Sequence, residues 1–203
     1  MIKLLSCLFL LVFLSACIGS SVPEKASTQI PAPVANEDAG KGMVEMATRT
    51  GSKYFVTENH PRGASLSDIT VHASTSADTI KLQHADPITS MLVNDLDQDG
   101  YDELYIVTTS AGSGSLGNVI AVRMGKDQRL SKINFTASYL DDKRLQGHMG
   151  KDRYSIDSVN HLLLRTFPVY KEGDPNANPT GGERTISYRL TKTGETLELV
   201  PVE

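Results

Sequence analysis

The chain has no tryptophan, few aromatics (6%), and only two cysteines in 203 residues. The first two shortages argue against an aromatic platform for carbohydrate or single-stranded nucleic acid. Lys and Arg number 20 against 24 Asp and Glu, a formal net charge of −4, and the basic residues form no stripe. Binding to a phosphate backbone needs a concentrated positive field, so no nucleic-acid partner is expected. No apolar run approaches the roughly 20 residues needed to span a bilayer as a helix. Hydrophobic residues still make up 39% of the chain, enough for a core that folds unaided.

The one long apolar run, residues 4–14, follows Lys3 and ends in Ser15-Ala16-Cys17. A charged start, about ten apolar residues and a small-residue exit are the marks of a secretory signal. Leu14-Ser15-Ala16-Cys17 resembles a bacterial lipobox, which implies cleavage before Cys17 and acylation of that residue. Residues 1–16 are thus expected to be a lipoprotein signal peptide. Cys7 leaves with it and Cys17 carries lipid, so the mature domain has no disulfide and must rely on packing. Ile18 follows the lipidated cysteine in place of the aspartate associated with inner-membrane retention. The expected location is the outer membrane, facing the periplasm, with the lipid as the only membrane contact.

Residues 17–52 are rich in Ser, Pro, Ala, Asn and Gly and show little periodicity, so they read as the lipidated cysteine and a flexible linker. From residue 53 apolar residues recur at every second position. Ile80 and Leu82, then Ile120, Val122 and Met124, then Ile186, Tyr188 and Leu190 alternate with polar or small neighbours. This is the signature of half-buried strands. Further strands are expected near 54–58, 66–74, 88–94, 103–109, 129–135, 153–159, 161–170 and 196–202. Turn residues separate them, as at Asp99-Gly100 and Thr193-Gly194. Residues 53–203 are expected to fold as an all-β domain, an antiparallel sandwich or flattened barrel.

Residues 112–117 satisfy G-x-G-x-x-G, but a dinucleotide loop must run into a helix, and Val119-Ile120-Ala121-Val122 is a strand. What remains is a conformationally free Gly/Ser loop between two strong strands, able to take a shape that fits another protein. Asp95, Asp97, Asp99 and Glu103 occupy positions 1, 3, 5 and 9 of an acidic turn whose bend Gly100 permits. Carboxylates so spaced can converge on a hard cation, which makes calcium a candidate ligand; the alternative is a solvated turn. An EF-hand is excluded, because its twelfth position is Ile106. The five histidines form no H-x-H or H-x-x-x-H pair, and no serine lies in G-x-S-x-G. Zinc and hydrolase chemistry therefore find no support, and no enzyme activity is expected.

Two longer stretches carry a resemblance. Residues 107–121, VTTSAGSGSLGNVIA, and residues 165–190, with RTFPVYKEGD, Asn176, NPTGG and Tyr188-Arg189-Leu190, resemble the signature blocks of the periplasmic inhibitors of invertebrate-type lysozyme. The likeness covers about residues 66–190. It implies an antiparallel β-sandwich whose S-G-x-Y loop enters the enzyme's substrate cleft. Carried over by position, the inhibitory loop is Gly112, Ser113, Gly114, Ser115, Leu116 and Gly117, with Leu116 where the family often has tyrosine. The partner so implied is a lysozyme, invertebrate type first. Many lysozymes are basic, so an acidic inhibitor would be steered toward them, mainly through the association rate. Oligomeric state is left open, a homodimer among the alternatives. The competing class is a calcium-stabilised structural or adhesive β-domain of the envelope, resting on the acidic turn.

Overall fold

The computed structural model describes residues 42–135 and 142–202, which form twelve strands and one turn of 3-10 helix at Lys143–Leu145. Signal peptide and Cys17 lie outside the described residues. Strands β1 (Gly42–Ala47), β2 (Lys53–Asn59), β3 (Ser67–Ala73) and β4 (Thr79–Ala85) make an antiparallel meander. Strands β5 (Ile88–Asn94), β6 (Glu103–Thr109), β7 (Gly117–Met124) and β8 (Leu130–Phe135) make a second. A third runs through β9 (Arg153–Asp157), β10 (Leu162–Pro168), β11 (Glu183–Thr193) and β12 (Thr196–Pro201). The second and third join edge to edge where β8 and β12 run parallel, pairing Glu198 with Asn134 and Leu199 with Phe135. The result is one eight-stranded sheet in the order β5-β6-β7-β8-β12-β11-β10-β9.

Two apolar cores follow from this layout. In the first, Tyr105, Val107, Val119 and Ala121 from β6 and β7 join Leu163, Phe167, Ile186, Tyr188 and Leu199 from the third meander. The eight-stranded sheet therefore curls around this core into a nearly closed, flattened barrel, with β5 and β9 left as its two edges. The second core lies on the other side of β6 and β7, where Leu104, Ile106, Val122 and Met124 meet Tyr54, Val56, Ile69 and Val71 of the first meander. The all-β class expected from the alternation holds. β6 departs from alternation because it is covered on both faces: six of its seven residues, Glu103 to Thr108, are buried. A strand buried on both sides has no wet face to mark with polar residues.

The linker boundary at 52 needs correcting. Residues 42–47 are a paired strand, in register with β2 from Gly42 opposite Glu58 to Ala47 opposite Lys53. In β1 only Val44 and Met46 face the core, with Met43, Glu45 and Ala47 exposed, and two inward residues next to an exposed methionine make too short a pattern to read.

One tyrosine pins the first meander to the barrel. The buried Tyr54 hydroxyl donates to the Asp102 carbonyl (2.7 Å) and accepts from the Met124 N–H (2.9 Å). Burial pushes its pKa up to about 12, so it stays a neutral phenol at any working pH. Tyr54→Phe strands a buried carbonyl and a buried N–H, a loss expected to cost about 1–3 kcal/mol. Urea denaturation checks this; a midpoint equal to wild type would deny the hydroxyl any role in joining the layers.

Candidate functional site

The loop between β6 and β7, residues 110–116, projects from the barrel end, with Gly112 and Ser113 exposed. It is closed at its base by two bonds: Ser110 N–H donates to the Leu116 carbonyl and Leu116 N–H to Ser110 Oγ, each at 2.9 Å. Ser115 N–H donates to the Gly112 carbonyl (2.9 Å), making a turn in which Ser115 has a φ of 47°. The flanking strands alone do not set this shape. Two neighbouring segments, 147–152 and 174–180, grip the loop from the side.

Lys151 N–H is shared between the carbonyls of Gly114 (3.1 Å) and Ser115 (3.0 Å). Gly150 comes so close that a Cβ there would lie 1.7 Å from the Gly114 oxygen. From the other side Asn176 Nδ2 donates to the Ser113 carbonyl (2.9 Å). Asn176 is in turn held through its own carbonyl by Lys151 Nζ (2.6 Å) and the Tyr170 hydroxyl (3.0 Å). A side chain at Gly114 would sit 3.1 Å from the Met149 carbonyl, and one at Gly117 would sit 2.6 Å from Asp152 Cβ. The glycines of the G-x-G-x-x-G pattern at 114 and 117 are thus there for the close passage of segment 149–152.

Under the loop lies a buried polar cluster absent from the sequence-based site. Asp152 Oδ2 accepts from Gly117 N–H (2.8 Å), and Oδ1 accepts from Arg165 Nε (2.7 Å) with His148 Nε2 also at 2.8 Å. The side chains of Arg165 and Asp152 are fully buried. The guanidinium lies 6.0 Å from the Tyr154 ring centre and 5.7 Å from that of Phe167, whose edge-on partner is His148. Burial alone would raise the Asp152 pKa, but bonds from His148, Arg165 and the Gly117 N–H outweigh it and hold the carboxyl below its ordinary value. The Tyr154 hydroxyl donates to the Gly117 carbonyl (3.2 Å). Asp152 and Tyr154 hold Gly117, the first residue of β7 beyond the loop, and Arg165 and His148 hold Asp152.

Two large apolar side chains stay exposed beside the tip: Leu116 at 43% and Met149 at 50%. They flank Gly114, one in the loop and one in the segment that braces it. The Ser113 hydroxyl has no hydrogen-bond partner among the described residues. The surface offered is therefore a hydroxyl donor next to an apolar shoulder, on a braced backbone.

The acidic turn is a separate place. It joins β5 to β6 at the start of β6, whereas the loop leaves its end, about 20 Å away for a seven-residue strand. Asp95, Asp97, Asp99 and Glu103 do converge there, each offering an oxygen within 4.8 Å of the others. Among the described residues no helix is long and apolar enough to cross a membrane. Compared with family models, with curated proteins and with solved structures, the chain has no match.

Proposed function

We propose that this protein is an inhibitor of lysozyme, a binding module with no catalysis of its own, tethered through Cys17 to the outer membrane and facing the periplasm. The observation that carries the reading is the meeting of the two stretches on which the resemblance rests. Asn176 of the second holds the carbonyl of Ser113 of the first, although 63 positions separate them. Two distant blocks of sequence thus build one surface.

The chemistry fits a glycosidase cleft. Such a cleft presents two carboxyl groups across the scissile bond, and these accept hydrogen bonds. The Ser113 hydroxyl supplies a donor without supplying a bond to cleave. Bracing by Lys151 and Asn176 lowers the ordering cost of binding, since the loop is already shaped. Leu116 cannot donate as a tyrosine would. With Met149 it offers apolar contact instead, and that exchange sets which lysozyme is preferred.

The test is titration against invertebrate, chicken and goose-type lysozymes. Inhibition of the invertebrate type should saturate near one inhibitor per enzyme. Ser113→Ala should weaken it by roughly 1–3 kcal/mol, the cost of leaving a buried partner unsatisfied. Ser113→Asp should abolish it by setting like charges face to face in a desolvated contact, with melting unchanged because the residue is exposed. Absence of inhibition across all three enzyme types would end the proposal.

A further inference from the structure

We propose that the turn between β5 and β6 is a calcium site, with Asp95, Asp97, Asp99 and Glu103 as its ligands. The first support is size. Calcium–oxygen bonds run about 2.3–2.6 Å, so two oxygens on opposite sides of one ion stand at most about 5 Å apart. The four carboxylate oxygens all fall within 4.8 Å of one another. They span one coordination sphere.

The second support is Glu103. It is fully buried, and its Oε2 accepts from Leu96 N–H (2.9 Å) and the Tyr105 hydroxyl (3.0 Å). Its Oε1 is buried and has no donor among the described residues, while the side chain offers an oxygen to the acidic cluster. A buried carboxylate oxygen left without a partner is costly, and a cation is the partner this cluster of acids can share.

Charge points the same way. Arg49 pairs with Asp95 and Asp102, and Arg123 with Asp97 and Asp99. Two guanidiniums face five carboxylates once Glu103 is counted, which leaves room for a divalent ion. The donors are all oxygen, which disfavours zinc and copper. Three carboxylates from the turn and one from the start of β6 suit calcium, which takes about six to eight oxygens in irregular geometry, better than magnesium, which demands near-ideal octahedral geometry and keeps its waters. Arg123 shares Asp97 and Asp99 with the proposed ion, so it competes with it.

Full-length protein in non-ionic detergent, stripped with chelator and desalted, is titrated with calcium chloride by calorimetry. Terbium is a second probe, because Tyr101 and Tyr105 lie next to the ligands and can sensitise its emission. The expected result is one calcium per chain, displaceable terbium emission, and a higher melting temperature in calcium than in chelator. Glu103→Gln and the partly exposed Asp97→Asn should each weaken calcium about tenfold or more, by removing a ligand charge. Arg123→Gln should tighten it. No calcium binding by the wild-type protein at millimolar ion overturns the site, and needs no variant to fold. Equal affinity in wild type, Glu103→Gln and Asp97→Asn overturns it as well, by placing the ion elsewhere.

Discussion

Asp152→Ala should lose roughly 3–5 kcal/mol of folding stability, the cost of breaking a buried ion pair from one side. The variant leaves the Arg165 guanidinium, with no exposed surface, lacking its counter-charge, and strands the Gly117 N–H that the carboxylate holds at 2.8 Å. Asp152→Asn should lose less, since an amide oxygen can still accept one of these bonds. The pH dependence separates charge from packing. Because the folded state holds the Asp152 pKa below its ordinary 3.8, its contribution is fully present above that value and fades as pH falls through the folded one. The gap between wild type and Asp152→Asn should therefore be widest at neutral pH and narrow below pH of about 4. Denaturant melts at neutral pH and in acid measure it. A gap independent of pH would mean that the carboxylate's charge does nothing.

Gly150→Ala should do more harm to the loop than any change within it. The residue sits at a φ of +105°, and its Cβ would fall 1.7 Å from one backbone atom of Gly114 and 2.6 Å from another. Neither backbone can yield without losing the Lys151 bonds to Gly114 and Ser115. A stability loss of about 2–4 kcal/mol is expected, combining backbone strain with an overpacked contact. The amide of Lys151 should exchange rapidly with solvent, and the lysozyme inhibition proposed for the loop should fall with it. Gly173 is the control, because its φ of +84° is strained for alanine but nothing lies within 4 Å of its Cβ. Gly173→Ala should cost only the strain, on the order of 1–2 kcal/mol. Similar losses from both would mean that the close passage at Gly150 is relieved by a small shift.

Most of the barrel was legible because antiparallel strands with one wet face write their register into alternation. β11 falls where the period put it, and so does β7, although a core covers each of its faces. Two strands escaped that logic in opposite ways. β6 is buried on both faces yet lies where a strand was expected near 103–109, while β1 fully buries only Met46 and vanished into the linker. Half of the site was legible too. The Gly/Ser loop shows as a break between strong strands, and Ser113 is exposed as a tip residue should be. Its support was not. Arg165 did carry a signal, since it falls between Leu163 and Phe167 on the inward face of β10, and all three are fully buried. An arginine in such a register must find a carboxylate. Which carboxylate is a question of tertiary structure, and Asp152 and His148 arrive from segments with no period at all. The acidic turn was visible as spacing, but the orphaned oxygen of Glu103 depends on where Tyr105 and Leu96 point.

The parallel seam between β8 and β12 governs how this chain can reach its fold. Each meander is built from near neighbours and can form early, but the barrel interior closes only when Leu199 comes to lie beside Phe135. Contacts so distant along the chain carry a large loop-closure entropy and form slowly. The first core needs Leu197 and Leu199 from that same last strand. Until β12 pairs with β8, the second and third meanders each keep an exposed strand edge at this seam. The interval before that seam forms is when the domain most needs protection from aggregation.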